Sequence, residues 1–160
     1  MEFASGGNLH ELIKKKKNDN SYLKKKEALE LFCQICFAIQ HIHEQNILHR
    51  DLKTQNIMLD KTHKIAKVGD FGISKLLESR GKACSVVGTP SYLSPELCKG
   101  ISYDTKSDIW ALGCVLYEML TLHYAFEAEN NLALIQKICK GNVAPIPDQF
   151  SSAAKEFVGN

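Results

Sequence analysis

His49-Arg50-Asp51-Leu52-Lys53-Thr54-Gln55-Asn56 decides how the rest of this chain is read, together with Asp70-Phe71-Gly72, which starts fourteen residues after Asn56. The two stretches bring two carboxylates, a lysine and a carboxamide close together in sequence. Read singly, Asp51 is a turn residue, Asn56 a cap and Asp70 an acid before a tight glycine turn. Read jointly, they form a chemical set. Asp51 at the tip of a loop suits proton abstraction from an attacking hydroxyl, and Asn56 and Asp70 offer the oxygen donors that magnesium prefers. Lys53, two residues after Asp51, supplies a cation to offset charge on a transferred phosphoryl group. The order and spacing favour the joint reading.

The flanks support a loop held between regular elements. On the N-terminal side, Lys25 to about Glu44 carries Leu29, Phe32, Cys36, Ile39 and Ile42 at offsets of three and four, which predicts a helix with one buried face. His41 and His43 near its end read as helix-surface residues. On the C-terminal side, Ile57-Met58-Leu59 and Ile65 to Val68 predict two short strands around a polar turn at Asp60 to His63. That hairpin would carry Asn56 before its first strand and Asp70 after its second, closing the sequence gap between them in space.

Further out, Asn8 to Lys17 predicts a short helix with Leu9, Leu12 and Ile13 inward. Ser107 to Leu120 is apolar almost all round, as in a helix through the middle of a core. A helix from about Asn131 to Lys140 is expected to turn Leu132, Ile135 and Ile138 inward, with Gly141 as its stop. Pro145 and Pro147 break the chain before a further helix beginning near Ser151.

Composition sets the frame. The chain has 160 residues, 44% hydrophobic and 24% charged, with a net charge of +2, which allows one domain with a real core. The first residues have neither a basic start nor an apolar run, so no signal peptide is read there. The longest apolar stretch, Ile109 to Leu122, is interrupted by Gly113 and Glu118 and is too short to span a bilayer; no membrane insertion is expected. Lys14 to Lys17 and Lys24 to Lys26 form two basic clusters. Interspersed acids at Glu11, Asp19, Glu27 and Glu30, without a pattern of alternating aromatics, favour a solvated surface, and no nucleic-acid partner is expected. Cysteines stand at 33, 36, 84, 98, 114 and 139. Cys33 and Cys36 lie in a helical pattern with nothing nearby to complete a zinc site, so all six read as reduced structural thiols, with Cys84 the most exposed.

The loop and its neighbours resemble the catalytic and magnesium loops of eukaryotic protein kinases, and Lys53 resembles the serine/threonine branch. Gly88-Thr89-Pro90-Ser91-Tyr92-Leu93-Ser94-Pro95-Glu96 resembles the kinase substrate-docking loop. Leu52 to Asn56, Gly72-Ile73-Ser74-Lys75, Pro95 to Cys98, Lys106 to Cys114 and Ala125 to Ala128 look like the NIMA-related kinases, the ciliary subgroup most of all. The resemblance implies a mainly α fold, the large C-terminal lobe of a kinase with a short β-hairpin carrying the metal-binding residues. It treats residues 1–160 as a partial kinase domain: hinge at 1–7, catalytic loop at 49–56, activation segment at 70–96 and a truncated helix near 151–160. It also implies that the small lobe is not among these residues.

Carried over residue by residue, the resemblance makes Asp51 the catalytic base with Lys53 beside it, and Asn56 and Asp70 the magnesium ligands. ATP would meet Glu2 and Ala4 in the hinge, with Met1 as gatekeeper, Asn8 near the ribose and Met58 beneath adenine. Thr89 would hydrogen-bond near Asp51 and Lys53 in substrate docking. A phosphate on Ser85 would be held by Arg50, and Asp108 would anchor the catalytic-loop backbone. The implied cofactors are ATP and Mg2+, and the partners are proteins bearing Ser or Thr, with regulatory or cilium- and centrosome-associated proteins. The expected place is the cytoplasm, including centrosome or cilium. The expected function is protein serine/threonine phosphorylation. The alternative is a kinase-derived module that docks substrates or partners without catalysis, since neither a Gly-rich loop nor a strand lysine with its helix glutamate is present in these residues.

Overall fold

Asn8 begins the first helix because its side-chain oxygen accepts from Glu11 N–H at 2.9 Å while Glu11 Oε2 accepts from Asn8 N–H at 3.1 Å. This reciprocal cap satisfies two of the orphan donors of α1, Leu9–Asn18. The computed structural model describes residues 5–70, 90–147 and 150. After α1 come α2 (Lys25–Glu44), a single 3₁₀ turn (Thr54–Asn56), β1 (Ile57–Leu59) and β2 (Ala66–Val68), and then α3 (Pro95–Cys98), α4 (Thr105–Thr121) and α5 (Asn131–Lys140). The elements follow the expected order. Among the described residues the one sheet is the two-stranded hairpin of β1 and β2 and the other regular elements are helical, as expected for the large lobe of a kinase.

α4 is the axis. Asp104 caps it by accepting from Lys106 and Ser107 N–H, and Val115, Leu116, Met119 and Leu120 are buried against α1, α2 and β1 in one core cluster. A second cluster joins Cys114, Phe126, Leu134 and Ile138, with Trp110 stacked on Phe126 at 5.5 Å. Burial pushes the Cys114 thiol up to about 12 and, with Cys33 nearby, the Cys36 thiol up to about 11, so both remain protonated at neutral pH. Cys33 and Cys139 are exposed and take no part in the core, which corrects their reading as structural thiols. Cys84 lies outside the described residues.

Two buried faces also differ from expectation. On α2 the deepest residues are Ala28, Leu31, Phe32, Ile35 and Ile39, while Leu29, Cys36 and Ile42 are only half-buried. On α5, Leu132 is 69% exposed and Leu134 is buried in its place. Among the described residues no helix is long and apolar enough to cross a membrane.

β1 and β2 pair antiparallel, Ile57 with Val68 and Leu59 with Ala66. The turn between them is tied by Asp60, whose carboxylate accepts from Thr62, Lys64 and Ile65 N–H. The Thr62 hydroxyl and these amides hold the Asp60 carboxyl well below the usual range. On the other edge of β1, Gly6 N–H donates to Leu59 O and Leu59 N–H to Gly7 O, both at 2.9 Å. A Cβ on Gly6 would sit 2.0 Å from the Asp60 carbonyl oxygen, so no side chain fits without moving backbone. Gly6→Ala is therefore expected to destabilise the chain by about 1–3 kcal/mol, read as a lower melting temperature. An unchanged melting temperature would mean that this strand-like pairing is not held in solution.

Candidate active site

The catalytic-loop carboxylate is held by two donors on one oxygen. Lys53 Nζ lies 2.8 Å from Asp51 Oδ2, and Asn56 Nδ2 donates to the same oxygen at 3.0 Å and to the Asp51 backbone carbonyl at 2.8 Å. Asp51 and Lys53 stay partly exposed, with side-chain values of 22% and 34%, so a reactant can reach them. With its amide nitrogen committed to Asp51, Asn56 turns its oxygen to the other side, as an oxygen donor to magnesium requires.

The hairpin brings Asp70 back to this point. Gly69 N–H donates to Asn56 O at 2.9 Å, which places the residue before Asp70 against Asn56. Asp70 itself has φ +51 and Arg50 φ +68, left-handed conformations that cost a non-glycine residue about 1–3 kcal/mol each and collect at functional sites. Phe71 to Thr89 lie outside the described residues, and with them Ser85 and Thr89. Glu2 and Ala4 lie outside as well.

His49 closes the arrangement, a role that sequence reasoning did not assign. It is fully buried. Its Nε2 lies 3.1 Å from Gly69 O and its Nδ1 accepts from Asp51 N–H at 3.3 Å, so one neutral ring joins the base loop to the residue before Asp70. Protonating Nδ1 would put a second donor against Asp51 N–H. Burial lowers the His49 pKa from 6.5, against the opposing pull of the Gly69 carbonyl and of Asp108, Asp51 and Asp70. The unfolded chain therefore takes the proton first. The stabilisation this gives is present above pH 6.5 and is lost as pH falls toward the lower folded value. Melting temperatures measured from about pH 7.5 down to 5 are expected to fall less steeply for His49→Phe than for the natural chain. Parallel curves would remove the neutral-ring assignment.

Asp108 anchors the loop as the resemblance implied. Wholly buried, its Oδ2 accepts from His49 N–H at 3.0 Å and its Oδ1 from Arg50 N–H at 3.2 Å. His43 Nε2 lies 2.7 Å from Oδ2, and the Tyr103 hydroxyl donates to Oδ1. This corrects the reading of His43 as a surface residue: its side chain is only 16% exposed and belongs to the anchor. His41 is exposed, as expected.

A second buried carboxylate was not foreseen. Glu118, 2% exposed on α4, accepts from Thr54 Oγ1 at 3.2 Å and from the Tyr92 hydroxyl, and lies 3.3 Å from His10 Nδ1. Burial pushes its carboxyl pKa up, with the Tyr92, His10 and Thr54 hydrogen bonds opposing. The network ties α1, the catalytic loop and the segment before α3 to α4. The available signal was one acid inside an otherwise apolar helix, which must find partners. Farther along, Ser107 Oγ donates to Glu96 Oε1 at 2.5 Å, fixing the start of α3 to the start of α4.

Asn8 bridges to Met58 across the edge of β1, so the residue the resemblance assigned to the ribose and the one it assigned to the adenine floor are neighbours. The oxygen of Asn8 is used in the helix cap, which leaves its amide N–H₂ as its remaining side-chain donor. Among the described residues there is no group of three or more His, Cys, Asp or Glu that could hold a metal ion. Asn56 and Asp70 are a two-residue oxygen set of the kind magnesium uses when phosphate oxygens and water complete its shell.

The sequence matches the protein kinase domain over residues 1–160. It is 55% identical over 160 residues to the serine/threonine-protein kinase Nek8 of Danio rerio, covering all of this chain and 23% of that protein. It is 45% identical over 165 residues to nekl-2 of Caenorhabditis elegans, covering all of this chain and 46% of that kinase. Nek4 of Mus musculus is 45% identical over 159 residues, covering 99% of this chain and 20% of Nek4. The chain thus spans less than half the length of these relatives. Its motifs, its helical lobe and these similarities agree: the chain belongs to the protein kinase domain family, in the NIMA-related serine/threonine branch.

Proposed function

We propose that this chain carries the base, metal-binding and substrate-docking part of a protein serine/threonine kinase that moves the γ-phosphoryl group of ATP to Ser or Thr hydroxyls. The observation that carries the reading is the Asp51 carboxylate gripped by Lys53 and Asn56, with Gly69, the residue before Asp70, hydrogen-bonded to Asn56. Asp51 takes the proton of the acceptor hydroxyl as its oxygen bonds to the γ-phosphorus, and the bond from that phosphorus to the bridging oxygen breaks, releasing ADP. Lys53 holds a positive charge beside the carboxylate through this change. Asn56 and Asp70 would hold Mg2+, which when bound neutralises the phosphate charge. His49 and Asp108 keep Asp51 in place. Arg50 makes no ion pair with any described residue, which suits it to hold a phosphate on Ser85. The Nek relatives support protein substrates; a cytoplasmic setting at cilium or centrosome is proposed on the family resemblance alone.

The test is transfer of label from γ-labelled ATP by the full-length protein to a mixture of Ser-, Thr- and Tyr-containing peptides. Magnesium-dependent label on Ser or Thr is the expected result. No transfer by the full-length protein under any divalent ion would overturn the reading in favour of a docking module.

A further inference from the structure

A cavity of about 640 Å³ opens on a part of the molecule whose lining includes none of the catalytic-loop residues. Tyr22 from the α1–α2 connection, His123 and Tyr124 from the loop after α4, Lys137 and Lys140 from the last turn of α5, and Pro145 form much of its wall. Its size suits a few residues of an extended peptide. Its charge is mostly of one sign: Glu127 is the one carboxylate among the described lining residues, and Lys137 Nζ is fixed there by donating to the Glu127 backbone carbonyl at 2.7 Å. Lys17 Nζ, 3.2 Å from His123 Nδ1, adds another cation at the rim.

Of the two lysine runs, the first reaches this surface through Lys17. Tyr22, 43% exposed, stands in sequence between Lys14–Lys17 and Lys24–Lys26 and forms part of the wall, so the structure supplies an aromatic that the sequence pattern did not show. Lys15, Lys16 and Lys17 end α1, where the helix field favours cations. Lys24, Lys25 and Lys26 start α2, where that field opposes them. Lys26 is offset there by Glu30 at 3.8 Å, and Glu27 in the same first turn suits the field.

The cavity also reaches the substrate segment. Tyr124 meets Tyr92 edge to face at 6.0 Å, and Tyr92 lies 3.0 Å from Thr54 of the catalytic loop. We propose that this cleft docks an acidic segment of a protein substrate, an aromatic or proline residue seated on Tyr22 and Tyr124 and carboxylates on Lys137 and Lys140. A peptide is favoured over a polyanion because Glu11, Asp19, Glu27 and Glu30 break the basic surface and the contact is concave and aromatic. That the docked segment belongs to a substrate rests on the kinase reading; the binding itself does not.

The probe is a fluorescein-labelled ten-residue peptide with a phenylalanine-proline centre flanked by aspartates, titrated into the full-length protein without nucleotide and followed by polarisation. Saturable binding that weakens with salt is expected, weaker by about tenfold or more in Lys137→Glu/Lys140→Glu and by about threefold or more in Tyr22→Ala. Lys99→Glu, outside the cleft, is expected to bind as the natural chain does. Phosphorylation of a short acceptor peptide lacking the acidic segment should be unchanged in the double variant. Unsaturable binding, equal binding by the double variant, or displacement by single-stranded nucleic acid or anionic vesicles at matched charge would overturn the proposal. Peptide binding by a protein that transfers no phosphate would overturn the substrate assignment and the kinase reading, and leave the acidic-peptide cleft standing.

Discussion

Asp51→Ala in the full-length protein is expected to lower kcat by about 10²- to 10⁴-fold with little change in KM for ATP. The carboxylate is the one group of the loop placed to take a proton, and both of its identified side-chain donors meet on a single oxygen. Truncation removes the acceptor and also releases Lys53 and Asn56 from it. Asp51→Asn separates the two effects. The amide keeps an oxygen toward Lys53 and Asn56 but no longer takes a proton, so its loss measures proton acceptance and alignment of the hydroxyl alone. If Asp51→Asn retains most of the turnover, the residue is a clamp for Lys53 and Asn56, and the base lies elsewhere. If Asp51→Asn and Asp51→Ala lose turnover equally, proton acceptance carries the effect. Lys53→Ala combined with Asp51→Ala should cost far less than the product of the two single losses, because the two side chains act as a unit.

The parts of this site that were legible in the sequence are the parts whose geometry is local. Asp51, Lys53 and Asn56 lie within one short loop, and a hairpin of three-residue strands necessarily carries its end back to its beginning, so Asn56 and Gly69 meet by chain geometry alone. The start of α1 was legible because Asn8 and Glu11 are three residues apart and make a reciprocal cap. Contacts across the fold were not. Glu118 meets Thr54 and His10 over separations of 64 and 108 residues, and no periodicity records which loop a buried acid will face. His43 looked like a helix-surface residue because the buried stripe of α2 passes beside it; only the arrival of Asp108 from α4 makes its position interior. Leu132 shows the limit of periodicity itself. Offsets of three link 132, 135 and 138, offsets of four link 134 and 138, and packing against Phe126 and Cys114 selects the second set.

Asp108→Ala is expected to cost about 3–5 kcal/mol of stability, seen as a fall in melting temperature of about 6–20 °C. The expected size follows from what the carboxylate satisfies. Two backbone N–H groups, His49 and Arg50, and two side chains, His43 and Tyr103, converge on it in a site with no exposure. Each N–H left buried without an acceptor costs about 1–3 kcal/mol. Arg50 also holds a left-handed φ of +68, a strain the two hydrogen bonds to Asp108 offset; without them the loop can relax and carry Asp51 out of line. Turnover should therefore fall further than the loss of folded protein explains, even well below the melting temperature. His43→Ala removes one donor and leaves the backbone pair in place, so a cost of about 1 kcal/mol with most of the turnover retained is expected. Asp108→Asn, which keeps one acceptor oxygen but turns an amide N–H₂ toward a backbone donor, should fall between the two. If Asp108→Ala melts within about 2 °C of the natural chain, the four hydrogen bonds do not hold the loop. If it melts lower but loses turnover only in proportion to unfolding, Asp108 stabilises the fold without positioning Asp51.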